Sequence, residues 1–460
     1  MLIMKFGAAA INEAARLRDL ARVVKDGRDE GYAVVVVCSA LAGITDALIE
    51  AARAAAEHRD GPIEYARREL WGRHRALAEK LINDEWEREE LYREWAELLK
   101  IFDRITRAVT TLGELSPRGI DAVAVLGERF MAHLVAVLLR RSGIASKMVD
   151  GAELIVTDAH FGNARPLLPE TFLRVRARLE SSLKALIVPV ITGYVGATRD
   201  GVVTTLGRGG GDYSATLIGA ALEATEVFLW TDVDGILTAD PKIVAGARTL
   251  PEISFSEAAE IAALGAEVLH PHTLAPLEQR GIPLHIRNLN HPERTGTRVV
   301  ARPQPAEQPA RTIISARGLS LLSVSSHSND ADWGPALSRM AASSVDILSF
   351  TQSLSEHSLT LAVRAADAAF ARECLINAHT GDQAQVQPPE ITLISPVGMV
   401  ALITTPGNDA LTARMLTSLG RANASILTLT HAGTHISFLL PEHQVDTVVR
   451  ALHHDLGLAL

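Results

Sequence analysis

Cysteine is nearly absent from this chain of 460 residues, with Cys38 and Cys374 the only two. Two thiols so far apart exclude a disulfide framework and a thiolate metal centre. The histidines supply no metal motif: His270-Pro271-His272 is too tight for two rings to share a zinc ion, and no His-Glu-x-x-His pattern occurs. A Gly-x-x-x-x-Gly-Lys-Ser/Thr run is also missing, which argues against a P-loop nucleotide site. Positive charge is in deficit, at 45 Lys and Arg against 54 Asp and Glu. A net charge of −9 argues against nucleic acid or an anionic membrane as partner, because their binders present a basic face. No segment reaches about 18 uninterrupted apolar residues and no secretory pattern is visible, so the expected compartment is the cytoplasm. With 47% hydrophobic and 22% charged residues, the composition is that of a folded protein, long enough for two to four domains.

What the chain does have is a glycine-rich turn that carries charge. Thr204-Thr205-Leu206-Gly207-Arg208-Gly209-Gly210-Gly211-Asp212-Tyr213-Ser214 sets one cation and one anion among four glycines. Glycines there permit positive φ and let N–H groups approach an anion closely. The apolar run Ala215–Leu222 opens a helix whose positive end points back at the turn. Arg208 can grip a carboxylate with two parallel hydrogen bonds, and Asp212 can accept from an ammonium group. The pair suits an amino acid; the bland alternative is a solvated turn with an incidental ion pair.

Over the first three hundred residues, short β-rich runs alternate with helical patterns, as in a mostly parallel sheet covered by helices. Expected strands are Leu2–Phe6, Ala33–Cys38, Val123–Val125, Leu186–Thr192, Val227–Trp230 and Pro283–Ile286. Between Ala47 and Leu112 the pattern is strand-poor, with mixed charges at helical spacing, and predicts a pair of solvated helices. Three prolines in Ala301–Pro309 mark a linker. Beyond Ile313 a β-α-β order occurs twice: Leu319–Ser325, Trp333–Ser343, Asp346–Thr351 and Ser358–Val363, then Val400–Thr404, Asp409–Ala422, Ser425–Thr430 and His435–Leu440. Two repeats fit a pair of small α+β modules.

Further polar residues lie where strands are expected to end, the place where open α/β sheets gather ligands. Lys5, followed by Phe6-Gly7, can reach phosphate oxygens as a point charge or can snorkel at a strand edge. Ser39 and Thr45 read first as helix caps. Glu128 can accept from an ammonium, or serve as a first-turn glutamate on a helix. Asp232, Asp234 and Asp240 follow an expected strand and suit either a water-mediated Mg²⁺ and a nucleotide, or ordinary turn chemistry.

Thr204–Ser214, Trp230–Pro241 and Ala262–Pro271 resemble the motifs of aspartokinases, members of the amino-acid kinase superfamily. Lys5-Phe6-Gly7 and Ser39–Asp46 resemble the opening motifs, and Gln352–Ser358 resembles the effector strand of aspartokinase ACT domains. The resemblance covers nearly the whole chain. It implies a three-layer α/β kinase domain over 1–299 with a helical insertion at 47–118, a linker over 300–311, and tandem or interleaved ferredoxin-like ACT modules over 312–460. The implied reaction is phosphoryl transfer from MgATP to the side-chain carboxylate of L-aspartate. By the same resemblance Arg208 clamps the α-carboxylate, Glu128 and Asp212 hold the α-ammonium, and Ser39 and Thr45 seat the substrate. Lys5 acts on the transferring phosphoryl group, while Gly7, Thr231, Asp232 and Lys242 lie along the nucleotide. Gln352 and Ser355 are the implied contacts of an amino-acid effector, and ACT pairing implies a homo-oligomer, a dimer or a tetramer.

Three departures stand at the site. Ala8-Ala9-Ala10 replaces the usual Gly-Thr-Ser, Glu267 replaces a lysine, and Gly211 replaces a serine. They leave three readings: an active aspartokinase, a ligand-sensing paralogue of weak activity, and a kinase of a related amino-acid carboxylate.

Overall fold

Strands β1 (Leu2–Phe6) and β2 (Val34–Cys38) flank helix α1 (Ala14–Asp29), and β2 is buried along its whole length. Continuous apolar strands of this kind need cover on both faces. The computed structural model describes residues 1–264, 269–304, 310–325, 333–343, 345–353, 358–380, 389–404, 409–432 and 434–458. Contacts divide the chain into two units, the first comprising Met1–Ile236, Pro251–Phe255 and Leu269–Pro303. The second takes the C-terminal region and also Leu237–Leu250 and Ser256–Val268, segments that sequence patterning assigns to the kinase domain.

After β2 come α2 (Ile44–Ala56), α3 (Asp60–Leu81), α4 (Glu85–Leu112), α5 (Pro117–Ala124) and α6 (Leu126–Arg141). Expected as a strand, Val123–Val125 instead closes α5, with Val123 and Ala124 helical and Val125 the turn before α6. Ser116 caps α5 by accepting from Gly119 N–H, Pro117 pre-sets the first turn, and a short apolar run cannot by itself distinguish a buried helix from a strand. The stretch Pro117–Arg141 is long and apolar enough to cross a bilayer by length and composition, yet 83% of its most apolar window is buried within the protein. Helices α3 and α4 are solvated on one face only. Leu91, Trp95, Phe102 and Val109 of α4 are buried, with the Trp95 ring stacked on Phe130 at 5.2 Å and its Nε1–H donating to the Phe130 carbonyl at 3.1 Å.

The chain continues through β3 (Ser146–Val149), β4 (Val156–Thr157), α7 (Leu168–Lys184), β5 (Val188–Thr192), β6 (Val195–Thr198), β7 (Val203–Thr205), α8 (Gly210–Ala221) and β8 (Glu226–Thr231). Then follow β9 (Glu252–Ser254), α9 (Phe255–Ala263), α10 (Pro271–Glu278), β10 (Leu284–Asn288) and β11 (Thr297–Val300). The main sheet runs β3-β5-β2-β1-β8-β10-β11-β9, and its first six strands are parallel. A small sheet, β4-β6-β7, leads into the glycine-rich turn.

The second unit contains β12 (Ala310–Ser325), α11 (Gly334–Ala342), β13 (Ile347–Ser353), β14 (Ser358–Arg364), α12 (Ala368–Thr380), β15 (Glu390–Thr404), α13 (Asp409–Arg421), β16 (Thr428–Ala432), β17 (His435–Pro441) and α14 (Val445–Asp455). They form one six-stranded sheet, β13-β14-β12-β15-β17-β16. Strand β14 pairs with the second half of β12, and β17 with the second half of β15. Two ferredoxin-like modules therefore share two long strands, and each has its own apolar core.

Replacing Trp95 by alanine deletes the largest fully buried side chain. A loss of ~3–5 kcal/mol is expected for such a truncation. Urea unfolding followed by circular dichroism would read it as a lower midpoint.

Candidate active site

The sheet reverses its winding between β1 and β2, since the chain builds outward through β5 and β3 on one side and through β8 and β10 on the other. Loops leaving the two strands diverge there and open a crevice at the carboxyl ends. That crevice is a cleft of about 480 Å³. It gathers Lys5 from β1, Ser39 and Thr45 from the loop after β2 and the start of α2, Glu128 from α6, and Arg208 and Asp212 from the glycine-rich turn. Six residues singled out in the sequence thus share one cavity.

Gly209, at φ 73°, is the N-cap of α8, and a side chain there would collide with His270, whose Cβ lies 2.6 Å from the position of the missing Cβ. This conformation aims the first turn of α8 at the cleft. Asp212 in that turn forms an ion pair with Lys5, Nζ to Oδ1 at 2.5 Å, and both side chains are largely buried. The carboxylate that the resemblance gives to a substrate ammonium is thus already engaged with the lysine. Ser39 Oγ stands 3.2 Å, and Lys5 Cε 3.4 Å, from where a Cβ on Gly211 would lie. The glycine at 211 leaves room for both.

Glu128 is only 4% exposed. Its Oε1 accepts from the Ala40 N–H at 3.3 Å, and its Oε2 has no hydrogen-bond partner among the described residues. Burial pushes this carboxyl up to about 7, against weaker opposition from backbone hydrogen bonds. Arg208 is exposed on the turn and lines the same cleft. Neither Ser39 nor Thr45 caps a helix, because the N-cap of α2 is Gly43, which has no side chain to cap with; both line the cavity instead.

The remaining expected residues are distributed otherwise. Gly7 donates to the Trp230 carbonyl at 2.9 Å, and its missing side chain leaves Lys5 Nζ room. Thr231 ends β8, one strand from Lys5, Asp232 follows it, and neither is among the cleft's lining residues. Of the three aspartates, Asp234 is held by Arg294 at 2.5 Å and Asn288 at 2.7 Å, and Asp240 accepts from the Lys242 N–H. Lys242 groups with the second unit. Among the described residues no three His, Cys, Asp or Glu side chains cluster as a metal site. Gln352 is exposed on β13, while Ser355 and Glu267 lie outside the described residues. Ala8 lines the cleft within a 3-10 turn, Ala9 is exposed and Ala10 is buried.

Sequence reasoning passed over Asp46 and Tyr194, which also line the cleft, and Asp121, which is buried and accepts from the N–H of the lining residue Gly162. Tyr194 follows the end of β5, where the switch-point rule points, and Asp121 is a lone carboxylate in an apolar run; both signals were legible.

A parallel sheet with an amino-acid-sized charged cleft at its switch point defines a small-molecule-binding α/β enzyme. The amino acid kinase family matches residues 1–288, and the chain belongs to that family. Aspartokinase 3, chloroplastic, of Arabidopsis thaliana is 29% identical over 98% of this chain and 80% of its own length. The bifunctional aspartokinase/homoserine dehydrogenase of Haemophilus influenzae is 25% identical over 99% of this chain and 56% of its own length. Among solved structures, E. coli aspartokinase III in complex with aspartate and ADP (R-state) superposes with a TM-score of 0.82 at 27% identity, covering 99% of this chain and 100% of that one. The same enzyme with lysine and aspartate (T-state) gives 0.75 at 27% identity, with 99% of each chain covered.

The raised Glu128 carboxyl has a stability consequence. Between its ordinary 4.5 and about 7 the folded protein binds more protons than the unfolded chain, so the group's contribution falls as pH rises through that window. Glu128→Gln is expected to melt above the native protein at pH 8 and close to it at pH 4, read by calorimetry at both values.

Proposed function

We propose that the protein transfers the terminal phosphoryl group of ATP to the side-chain carboxylate of L-aspartate, giving 4-phospho-L-aspartate. One observation carries the reading: Arg208, the unpartnered oxygen of Glu128 and the Lys5–Asp212 pair all open on one cavity. A guanidinium binds an α-carboxylate through two parallel bonds, and a buried carboxylate oxygen without a partner calls for a cation such as an α-ammonium. The relatives named as aspartokinases, and the neighbouring structure that holds aspartate and ADP, support the same substrates.

In this reading Arg208 takes the α-carboxylate and Glu128 the α-ammonium. Asp212 offers that ammonium a second acceptor while holding Lys5 in place, and Ser39 and Thr45 seat the side chain. The substrate's β-carboxylate is ionised at neutral pH and needs no general base. Its oxygen forms the new bond to phosphorus as the bond to the ADP oxygen breaks, so the protein's work is alignment and charge stabilisation. Lys5 Nζ, beside the side-chain-free Gly7, neutralises charge on the transferring group. Thr231, Asp232 and Lys242 are assigned to the nucleotide. Mg²⁺ fits as an ion carried in on the phosphates, with Asp232 as the exposed carboxylate at the end of β8 and the ion screening phosphate charge.

A second reading rests on the turn at Ala8–Ile11, which presents the Ala8 methyl group to the cleft where the family has glycine, and lacks the two hydroxyls the family carries at 9 and 10. It describes a paralogue that binds the amino acid and turns it over weakly, or a kinase of a related carboxylate. In either case we assign Gln352 and Ser355 to a small amino-acid effector and read the protein as a cytoplasmic dimer or tetramer joined through its ACT modules.

Purified protein with ATP, Mg²⁺, L-aspartate and hydroxylamine is expected to form aspartyl hydroxamate, and Arg208→Ala to lower kcat/KM for aspartate about 10–100-fold, as befits a lost charge-assisted pair. The same ratio should decline below pH about 7 in the native enzyme, where Glu128 gains its proton, and stay flat in Glu128→Gln. No hydroxamate at high enzyme concentration, with aspartate still bound in calorimetry, would give the second reading the field.

A further inference from the structure

We infer that Asp121 is a positioning residue that ties the helix carrying Glu128 to the turn carrying Arg208 and Asp212, and so sets the width of the amino-acid cleft. The inference rests on the reading of that cleft as the aspartate site.

Asp121 is 1% exposed and stands seven positions before Glu128. Only Val125 separates their helices α5 and α6. Both oxygens of its carboxylate are used. Oδ2 accepts from the N–H groups of Gly162 and Thr205, each at 3.0 Å, and Oδ1 from the Thr205 hydroxyl at 2.8 Å. Every one of these donors is neutral. A buried carboxylate without a counter-charge is costly, and its burial raises its affinity for a proton. Such a group persists where its bonds hold a geometry in place.

The geometry held here is that of the cleft. Thr205 ends β7 three residues before Arg208, so fixing its backbone and hydroxyl anchors the glycine-rich turn at its root. Gly162 itself lines the cleft, and Ala164 N–H donates to the Thr205 carbonyl at 2.9 Å, which lays that loop against the same strand. Leu206 N–H, the next along the chain, donates to the carbonyl of Tyr194, another lining residue, at 3.0 Å. One carboxylate on the Glu128 side thus grips two segments on the Arg208 side, the Gly162 loop and the end of β7. A substrate spanning Glu128 and Arg208 feels any change in their separation, whereas a nucleotide bound near β8 does not.

The test compares native protein, Asp121→Ala and Asp121→Asn, with Thr205→Val and Thr205→Ser as a second pair. Asp121→Ala is expected to raise KM and the calorimetric Kd for L-aspartate at least 10-fold while KM for ATP stays within twofold. Asp121→Asn, which keeps an acceptor, should recover most of the affinity. Thr205→Val should weaken aspartate about threefold or more, and Thr205→Ser should restore it. Unchanged aspartate affinity in both Asp121→Ala and Thr205→Val, or an equal loss for ATP, overturns the inference. Should Asp121→Ala fail to fold, the Thr205 pair decides by the same criteria. A native protein that binds aspartate without turning it over defeats the catalytic reading alone, and the Kd series still judges Asp121.

Discussion

The electrostatics of the first unit turn on a buried carboxylate with an unsatisfied oxygen. Glu128 is withdrawn from water and lines the cleft, its Oε1 tied to the Ala40 N–H and its Oε2 without a hydrogen-bond partner among the described residues. In a globular protein nearly all such atoms are paired, so an exception calls for an explanation. The explanation offered by its surroundings is a complementary cation that is part of the substrate. Lys5 cannot supply it, because the lysine is committed to Asp212 at 2.5 Å. What remains among the described lining residues is the carboxyls of Glu128 and Asp46 and one exposed cation in Arg208, groups that suit a zwitterion.

The Lys5–Asp212 pair gives the turn a second purpose. Pairing fixes the ammonium near the end of β1, where the sheet's winding reverses. Gly211 allows this close approach by leaving space against Ser39 and Lys5 that a side chain would occupy. Its replacement of the family's serine is thus accommodated by the local packing. The alanine turn at Ala8–Ile11 shows no such compensation.

How much of this was legible in the sequence differed by the kind of signal. Strands β1, β2 and β8 were readable within a residue or so, because fully buried apolar runs bounded by glycine and polar residues have few other uses. Val123–Val125 reads as a strand because it closes a helix of only eight residues and runs straight into the buried start of α6, and so short an apolar run carries no period that separates helix from strand. Ser39 and Thr45 were first read as caps because capping is local, whereas their placement beside Lys5 and Glu128 depends on strand order, which no local pattern carries. Asp232, Asp234 and Asp240 looked equivalent in sequence; only the fold shows Asp234 consumed by Arg294 and Asn288.

Strand order also decides what kind of object the second unit is. Read linearly, two β-α-β repeats follow one another; in space Ala310–Ala316 pairs with Met399–Thr404, and Leu319–Ser325 with Glu390–Val397. The first half of β12 therefore completes the module built from β15, β16 and β17, although the whole of the other module intervenes in sequence. Because side chains alternate along a strand, a one-residue slip of β12 against β15 would turn the apolar set of both cores to the wrong face at once. The irregular register around Gly318, with φ 67°, lets the two halves meet their separate cores along one backbone. Two modules joined in this way are mechanically one sheet, and a ligand that orders one of them acts on strands that belong equally to the other.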